Sequence, residues 1–202
     1  MTGSREFFNR RLHSLLGVIP IGLFLLVHLT VNHQATGGAE SFNKAADFME
    51  SMPFLPVLEI LLIFLPLLYH AIYGLYIAFT GTANTGRYGF LRNWMYLMQR
   101  ITGVLTLIFI AWHVWETRIA MMFGTPLNYQ MMEDILSSPF MIVFYVVGVL
   151  SAIFHFSNGL WSFMVSWGIT VSPRSQVIST YVTMIIFVVL AIVGMQAVFA
   201  FV

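Results

Sequence analysis

The sequence predicts an all-α integral membrane protein with five transmembrane helices, of which the first four form a four-helix bundle. Of its 202 residues, 59% are hydrophobic and only 8% are charged, and the mean hydropathy is +0.85. A soluble domain carries about 25% charged residues. Five apolar segments are each long enough to cross about 30 Å of hydrocarbon, which takes about 20 residues of α-helix. We therefore treat residues 1–202 as a single membrane domain.

The five predicted spans are bounded by residues typical of helix ends. Ser138 is a capping residue that precedes a proline at the first helical position, and Pro56 has a similar place in the second span. Pro20 and Pro66 lie inside spans one and two, where each removes one backbone hydrogen bond, so we expect both helices to bend there. The spans, numbered one to five, cover residues 12–31, 57–79, 101–120, 139–165 and 177–201.

Positive charges in the loops predict the orientation of the chain. Loops on the side of the N-terminus hold seven of the nine Lys and Arg residues, whereas the other side holds only Lys44 and Arg118. Lysine and arginine accumulate in cytoplasmic loops. The N-terminus is therefore expected in the cytoplasm and the C-terminus, after five spans, outside. The seven residues are Arg5, Arg10, Arg11, Arg87, Arg92, Arg100 and Arg174.

The segment between spans one and two, residues 40–52, predicts a short amphipathic helix at the outer membrane surface. Its apolar residues recur at helical spacing and would lie on one face. We expect this helix to act as a lid over the bundle. The apolar residues are Phe42, Ala45, Ala46, Met49 and Met52.

Four histidines within the spans follow a repeating plan. His28 and His70 are 42 residues apart, and so are His113 and His155. A histidine ring at membrane depth must find a partner, because lipid offers its nitrogens nothing to bond. The offset between the two halves is 85 residues, so spans one and two and spans three and four resemble a divergent internal repeat.

Counting residues from the middle of each span gives these histidines a depth. His28 and His113 lie roughly 9 Å and 4 Å outside the midplane, and His70 and His155 lie roughly 3 to 5 Å inside it. The four therefore form an outer pair, His28 with His113, and an inner pair, His70 with His155. Each pair draws its members from two different helices, and the two levels are roughly 10 Å apart.

Each pair supplies the two axial ligands of a six-coordinate b-type haem iron, so the sequence predicts two haem b groups. The chain has no cysteine, which excludes an iron–sulfur cluster and a covalently attached c-type haem. Around the inner pair, an aromatic-His-x-x-x-Gly motif ends at Gly74 and again at Gly159. We expect these glycines to leave room for a flat macrocycle. Span five contains no histidine and is assigned to packing.

The remaining polar residues near the spans receive simpler interpretations. His13 lies at the cytoplasmic edge as an interfacial residue, with contact to a haem propionate or a quinone as the alternative, and His33 meets water beyond the outer end of span one. Glu116 and Arg118 mark the outer interface. Three arginines on the inner side are topology anchors that are also placed to pair with haem propionates: Arg10, Arg11 and Arg100.

Three segments carry a resemblance to a known family: residues 5–20 (REFFNRRLHSLLGVIP), 112–118 (WHVWETR) and 154–161 (FHFSNGLW). They resemble the cytochrome b558 membrane anchors of succinate dehydrogenases from Bacillus-type bacteria. The resemblance covers essentially the whole chain, including five spans and four histidines. It implies two b haems, with the first histidine paired to the third and the second to the fourth, which is the pairing that depth counting gives.

The resemblance also implies partners and a direction of electron flow. A flavoprotein and an iron–sulfur subunit would dock on the cytoplasmic face, and electrons from succinate would pass by the inner and then the outer haem to menaquinone near the outer surface. The chain alone is not expected to be a dehydrogenase, because it lacks a nucleotide-binding glycine fingerprint. Related dihaem fumarate reductase anchors carry a proton-transferring glutamate two residues before the fourth histidine. Ile153 occupies that position here, so that proton route is not expected.

Three alternatives stay open at the level of sequence. A quinol:fumarate reductase anchor would use the same haems in the opposite direction. A dihaem subunit of a hydrogenase or formate dehydrogenase would arrange its ligands on a different plan. A transporter that uses histidines as a proton relay would bind no haem.

Overall fold

A computed structural model describes residues 2–202, and over these residues the chain is helical without a strand. Five helical segments are long and apolar enough to cross a membrane. The predicted fold class and the five predicted spans are therefore confirmed. The segments are Gly3–Gly37, Leu55–Thr80, Leu91–Met122, Pro139–Ser166 and Pro173–Phe199.

Spans one and three begin nine and ten residues earlier than the apolar pattern predicts, at residues 3 and 91 instead of 12 and 101. The helices continue into polar sequence because local contacts support them. Arg10 pairs with Glu6 one turn earlier, and Arg100 donates a hydrogen bond to the carbonyl of Tyr96. Such contacts between residues four apart stabilise a helix beyond its apolar part.

The α-helices within this framework have the following bounds: Thr2–Val18, Pro20–His33, Ala39–Glu50, Leu55–Leu58, Leu65–Thr80, Leu91–Val114, Ala120–Met122, Tyr129–Ile135, Pro139–Ser166 and Pro173–Phe199. Gln34–Gly37 is a 3₁₀ turn, and Glu59–Phe64 and Trp115–Ile119 are π-helical.

Both internal prolines lie where the helical hydrogen bonding changes, and the bends expected there stay a prediction. Span one breaks at Ile19, and a new helix begins at Pro20. In span two, the π-helical segment Glu59–Phe64 ends just before Pro66, which occupies the first turn of the helix that follows. The preceding turn has the wider hydrogen bonding of a π-helix, since the N–H of Leu65 bonds to the carbonyl of Ile60, and such a change accompanies bends in helices.

Span four makes the most extensive contacts among the spans, since it packs against spans one, three and five. Span three packs most extensively against span four, and span four against span five; span one contacts spans two, four and five. Span two contacts mainly span one and leaves most of its surface to lipid. We call the end with the N-terminus and residues 81–90 the N-terminal face, and the end with residues 34–54 and the C-terminus the C-terminal face.

The predicted surface helix is present as Ala39–Glu50 and covers the C-terminal face. Its residues Phe42 and Ala46 are each only 3% exposed. The ring of Phe42 packs edge-on against Phe201, with 5.1 Å between centroids. The helix Tyr129–Ile135 lies beside it, and the amide of Tyr129 donates a hydrogen bond to the Asn43 side chain at 2.7 Å. The predicted amphipathic helix is therefore present, and its place on the outer side of the membrane stays a prediction.

An ion pair joins spans two and three near the C-terminal face. Arg118 donates two hydrogen bonds to Oε2 of Glu59, from Nε at 3.1 Å and from Nη2 at 2.6 Å, and Glu50 lies 3.6 Å away. Glu59 opens one π-helical segment and Arg118 lies in the other. The interface interpretation of Arg118 is thus incomplete, because this residue also links two helices that share few other contacts.

Replacing Arg118 with Met should destabilise the protein by about 1 to 3 kcal/mol, between the values for exposed and buried pairs. The Arg118 and Glu59 side chains are only 23% and 18% exposed, so the variant leaves a carboxylate unpaired in poorly solvated surroundings. The midpoint of unfolding in detergent measures the effect. Arg10→Met is the matched control, because its pair with Glu6 is 51% and 53% exposed. Equal losses in the two variants would contradict the prediction.

Candidate functional site

The structure brings the four histidines of the spans together in two pairs. The rings of His28 and His113 lie 5.8 Å apart between centroids and are inclined by 74°. The rings of His70 and His155 lie 6.0 Å apart and are inclined by 89°. Each pair joins one span of the first repeat to the corresponding span of the second, so the partners are 85 residues apart.

Both rings of the inner pair donate a hydrogen bond to a backbone carbonyl of a neighbouring helix. Nδ1 of His70 lies 2.9 Å from the carbonyl oxygen of His13, and Nδ1 of His155 lies 3.0 Å from that of Gln99. A carbonyl oxygen only accepts, so Nδ1 carries the proton in both rings. The side-chain nitrogen of Gln99 also lies 3.2 Å from Nδ1 of His155, but it donates at 2.9 Å to the carbonyl of His155. Each Nε2 therefore keeps its lone pair for another partner, which is the arrangement of a metal-ligating histidine.

Glycines on the neighbouring helices make these contacts possible. A Cβ atom at Gly17 would lie 2.5 Å from Cε1 of His70, and one at Gly103 would lie 2.9 Å from Cε1 of His155. Each glycine follows the carbonyl-supplying residue by four positions, one helical turn. His70 and His155 therefore each lie against a bare stretch of backbone and bond to a carbonyl one turn away.

The glycines of the aromatic-His-x-x-x-Gly motif have a different neighbour from the one expected. A Cβ atom at Gly74 would lie 3.2 Å from Nε2 of His13, and one at Gly159 would lie 3.2 Å from Nε2 of Gln99. These glycines thus admit the side chains of the two carbonyl-supplying residues. Asn158 fixes Gln99 further by donating to its Oε1 at 2.6 Å.

His13 belongs to the inner site, and its interpretation as an interfacial residue is wrong in this respect. Its ring stacks on that of His70, with 4.0 Å between centroids and 8° between planes. Its Nε2 is buried without a hydrogen-bond partner in the described part of the chain. The ring therefore shields one face of His70, while its own backbone carbonyl fixes the Nδ1 proton.

At the outer pair, side chains replace the backbone carbonyls. Nδ1 of His113 lies 3.1 Å from the hydroxyl oxygen of Tyr145, and that hydroxyl donates to Oε1 of Glu116 at 2.6 Å. The other oxygen of Glu116 accepts from Nε1 of Trp112 at 2.7 Å. Because the tyrosine proton points to Glu116, His113 must be the donor to Tyr145. Glu116 thus has a partner in the bundle, which its interpretation as an interface marker missed.

The other predicted residues lie apart from the histidine pairs. His33 was expected to contact only water, but it also has a side-chain partner: its Nε2 lies 2.9 Å from Oε1 of Gln196. Arg10 is paired with Glu6. The remaining two arginines stack on aromatic rings: Arg11 lies 5.2 Å from the ring centre of Trp167 and 4.9 Å from that of Phe7, and Arg100 lies 3.3 Å from that of Tyr96.

Gln99, Tyr145 and the two neighbouring glycines were missed in the sequence. One signal was available: His13 and Gln99 are 86 residues apart, and so are Gly17 and Gly103. This offset differs by one from the 85 of the histidines, because span one has one more residue than span three between its glycine and its outer histidine. The break at Ile19 lies in that interval.

A surface depression of about 410 Å³ lies beside Glu116, which lines it. Hydrogen bonds join Glu116 to Tyr145 and Tyr145 to His113. The other walls of the depression are mostly aromatic or apolar. They are formed by Trp112, Trp115, Ile119, Ala120, Phe123 and Thr125.

The donor set fits a haem iron better than a bare ion. Among residues 2–202, no cluster of three or more metal-ligating side chains is present, so a protein-only coordination sphere is not formed there. A bond of about 2 Å from metal to imidazole nitrogen, plus about 1 Å from nitrogen to ring centre, puts two opposed rings about 6 Å apart. Both pairs have this spacing. The equatorial ligands of such a metal would come from a macrocycle.

Five apolar spans around paired interior histidines define a multi-pass helical membrane protein. A family model described as the succinate dehydrogenase/fumarate reductase transmembrane subunit matches residues 82–194. The chain is also 66% identical, over 202 residues and the full length of both proteins, to the succinate dehydrogenase cytochrome b558 subunit of Bacillus subtilis (strain 168). The chain belongs to the succinate dehydrogenase/fumarate reductase transmembrane subunit family. The family predicted from the sequence is confirmed, and with it the role of a membrane subunit and not a catalytic one.

Gly103→Ala should destabilise the protein by about 1 to 3 kcal/mol, the usual cost of an extra methyl group in a packed core. The new Cβ would meet the ring of His155, which is held by its hydrogen bond to Gln99. Gly86→Ala is the matched control, since its Cβ would meet nothing within 4 Å. The unfolding midpoint in detergent measures both. If Gly103→Ala is no less stable than Gly86→Ala, the close approach of this glycine to the ring is refuted.

Proposed function

We propose that the chain binds two b-type haems and serves as the electron-transferring membrane anchor of a succinate dehydrogenase. His70 and His155 would ligate the inner haem iron, and His28 and His113 the outer one. When bound, the haems supply the one-electron chemistry. This proposal is supported mainly by the spacing of about 6 Å between the ring centres of each pair, which suits two opposed ligands of one iron. In addition, the three rings with a hydrogen-bond partner at Nδ1 all donate from that nitrogen.

The residues of the chain contribute position and environment. Backbone carbonyls hold the inner rings in one orientation, and Tyr145 does the same for His113. Such contacts to the second ring nitrogen fix the tautomer and raise the basicity of the ligand. Both pairs lie within the apolar spans, and a six-coordinate haem iron between two histidines has electron transfer as its chemistry.

The partners follow from the orientation. Seven of nine positive residues lie on the N-terminal face, so we infer that this face is cytoplasmic and carries the flavoprotein and iron–sulfur subunits. Electrons from succinate would enter on the side of the inner pair and leave to menaquinone near the outer pair. The depression beside Glu116 is the candidate position for the quinone head group, because Glu116 lines it and is joined to His113 by hydrogen bonds through Tyr145.

The family also includes fumarate reductase anchors, which would run electrons in the opposite direction. The direction depends on the quinone and the catalytic subunits, and the same four histidines would serve either. The proton route of the dihaem fumarate reductases has no counterpart here. Ile153 is fully buried and presents no titratable group at that position.

The purified complex should contain two haem b groups per chain, measured by a reduced-minus-oxidised spectrum with haem quantitation. Fewer than two would reject the dihaem proposal. A membrane fraction that contains the protein but shows no haem absorption would instead favour the transporter with a histidine proton relay.

Replacing His70 or His155 with Ala should remove the inner haem and leave the spectrum of the outer one, because each iron depends on its own pair. His33→Ala is the matched control, since His33 bonds to Gln196 and should leave both haems in place. Loss of the outer signal in His70→Ala, with the inner signal retained, would overturn the assignment of the pairs.

The orientation can be tested with introduced cysteines, since the chain has none of its own. Thr82 and Ser137 are both exposed, on the N-terminal and C-terminal faces respectively. A membrane-impermeant maleimide added to intact cells should label Ser137→Cys and should label Thr82→Cys only after the cells are opened. The reverse pattern would place the N-terminus outside.

A further inference from the structure

The two histidine pairs differ in what supports the ligand rings. At the inner pair, both ring N–H groups donate to neutral backbone carbonyls. At the outer pair, the N–H of His113 donates to Tyr145, whose own hydroxyl donates to Glu116. The inner rings therefore bond to fixed dipoles, whereas His113 bonds to a side-chain network that ends in a carboxylate.

The carboxylate of Glu116 is committed to this network. One of its oxygens accepts from Tyr145 and the other from Trp112. The nearest basic residue along the helix, Arg118, is engaged by Glu59 and Glu50. Within residues 2–202, no ion pair includes Glu116, so its charge is not offset by a salt bridge and can polarise the tyrosine.

Local structure holds the network in place. Glu116 lies in the π-helical segment Trp115–Ile119 that begins two residues after His113, and π-helical turns occur frequently at functional sites. Thr117 donates a hydrogen bond to the carbonyl of His113 at 2.5 Å. Tyr145 is only 3% exposed. Burial makes each hydrogen bond in such a chain electrostatically stronger than it would be in water.

A hydrogen-bond chain of this kind changes the redox potential of a metal that the histidine ligates. A tyrosine oxygen whose proton is drawn toward a carboxylate is a stronger acceptor, so it pulls more on the Nδ1 proton of His113. The imidazole then donates more electron density through Nε2, which favours the oxidised iron. The negative charge of Glu116 acts in the same direction.

Resting on the proposed function, we propose that Tyr145 and Glu116 are positioning residues of the outer haem. Through the hydrogen bond to His113 they lower the midpoint potential of the outer haem and leave that of the inner haem unchanged. They do not ligate the iron. They act through the second nitrogen of one ligand.

A redox titration of the purified complex, with the two haems resolved by their spectra, tests this inference. In Tyr145→Phe, the reduced-to-oxidised ratio of the outer haem at a fixed ambient potential should rise by roughly tenfold, equivalent to about 59 mV for one electron. Glu116→Gln retains an acceptor for the tyrosine but loses the charge, so it should shift the ratio in the same direction by less. The inner haem should titrate as in the wild type in both variants.

Tyr69→Phe is the matched control, because Tyr69 donates to Asn9 in the inner half of the protein. It should leave the outer potential unchanged. An outer potential that is unaltered or lower in Tyr145→Phe would overturn the inference, as would an equal shift of both haems. If Tyr145→Phe fails to assemble, Glu116→Gln decides by the same criteria. Haem quantitation of the wild type precedes the titration, so a failure of the dihaem proposal is recognised separately.

Discussion

The arrangement of this bundle depends on one constraint: a histidine ring buried in hydrocarbon has two nitrogens, and both need a partner. Three of the four interior rings satisfy Nδ1 within the protein, as His70 and His155 do with backbone carbonyls and His113 with Tyr145. That contact fixes the proton on Nδ1 and leaves the lone pair on Nε2 free for another partner. The pairing of rings across the bundle follows from where each Nδ1 finds its acceptor.

A backbone carbonyl inside a helix is already used by the residue four positions later, so a ring can reach it only where no side chain intervenes. Gly17 and Gly103 provide that access, one turn after His13 and Gln99. The requirement repeats in both halves. One extra residue in a regular helix would rotate the following side chains by about 100°. The helix is interrupted at Ile19, between Gly17 and His28, and His28 still lies beside His113 despite the additional residue of span one.

The spans and the fold class could be predicted from the sequence because they depend on local quantities. Apolar length gives the spans, and loop charge and histidine spacing arrange them into a repeat. The residues that contact the histidine rings could not be predicted in the same way. The identity of a glycine or a glutamine does not indicate which ring it will contact in the folded protein. His13 shows this limit, since its position in the sequence indicates an interface while packing places its ring on His70. The ends of spans one and three were misjudged for a related reason: the pair Glu6–Arg10 extends a helix that hydropathy alone would end.

The two levels of the bundle use different groups to accept the hydrogen bond from the histidine rings. The inner rings bond to backbone carbonyls, which no side-chain substitution at His13 or Gln99 removes directly. The outer ring of His113 bonds to the side chain of Tyr145, which bonds to Glu116 in a π-helical segment. Glu116 also lines a surface depression. A site built on backbone is fixed by the fold, whereas a site built on side chains can be adjusted by single substitutions. The outer level is therefore where single substitutions would change the surroundings of a histidine ring without changing the architecture.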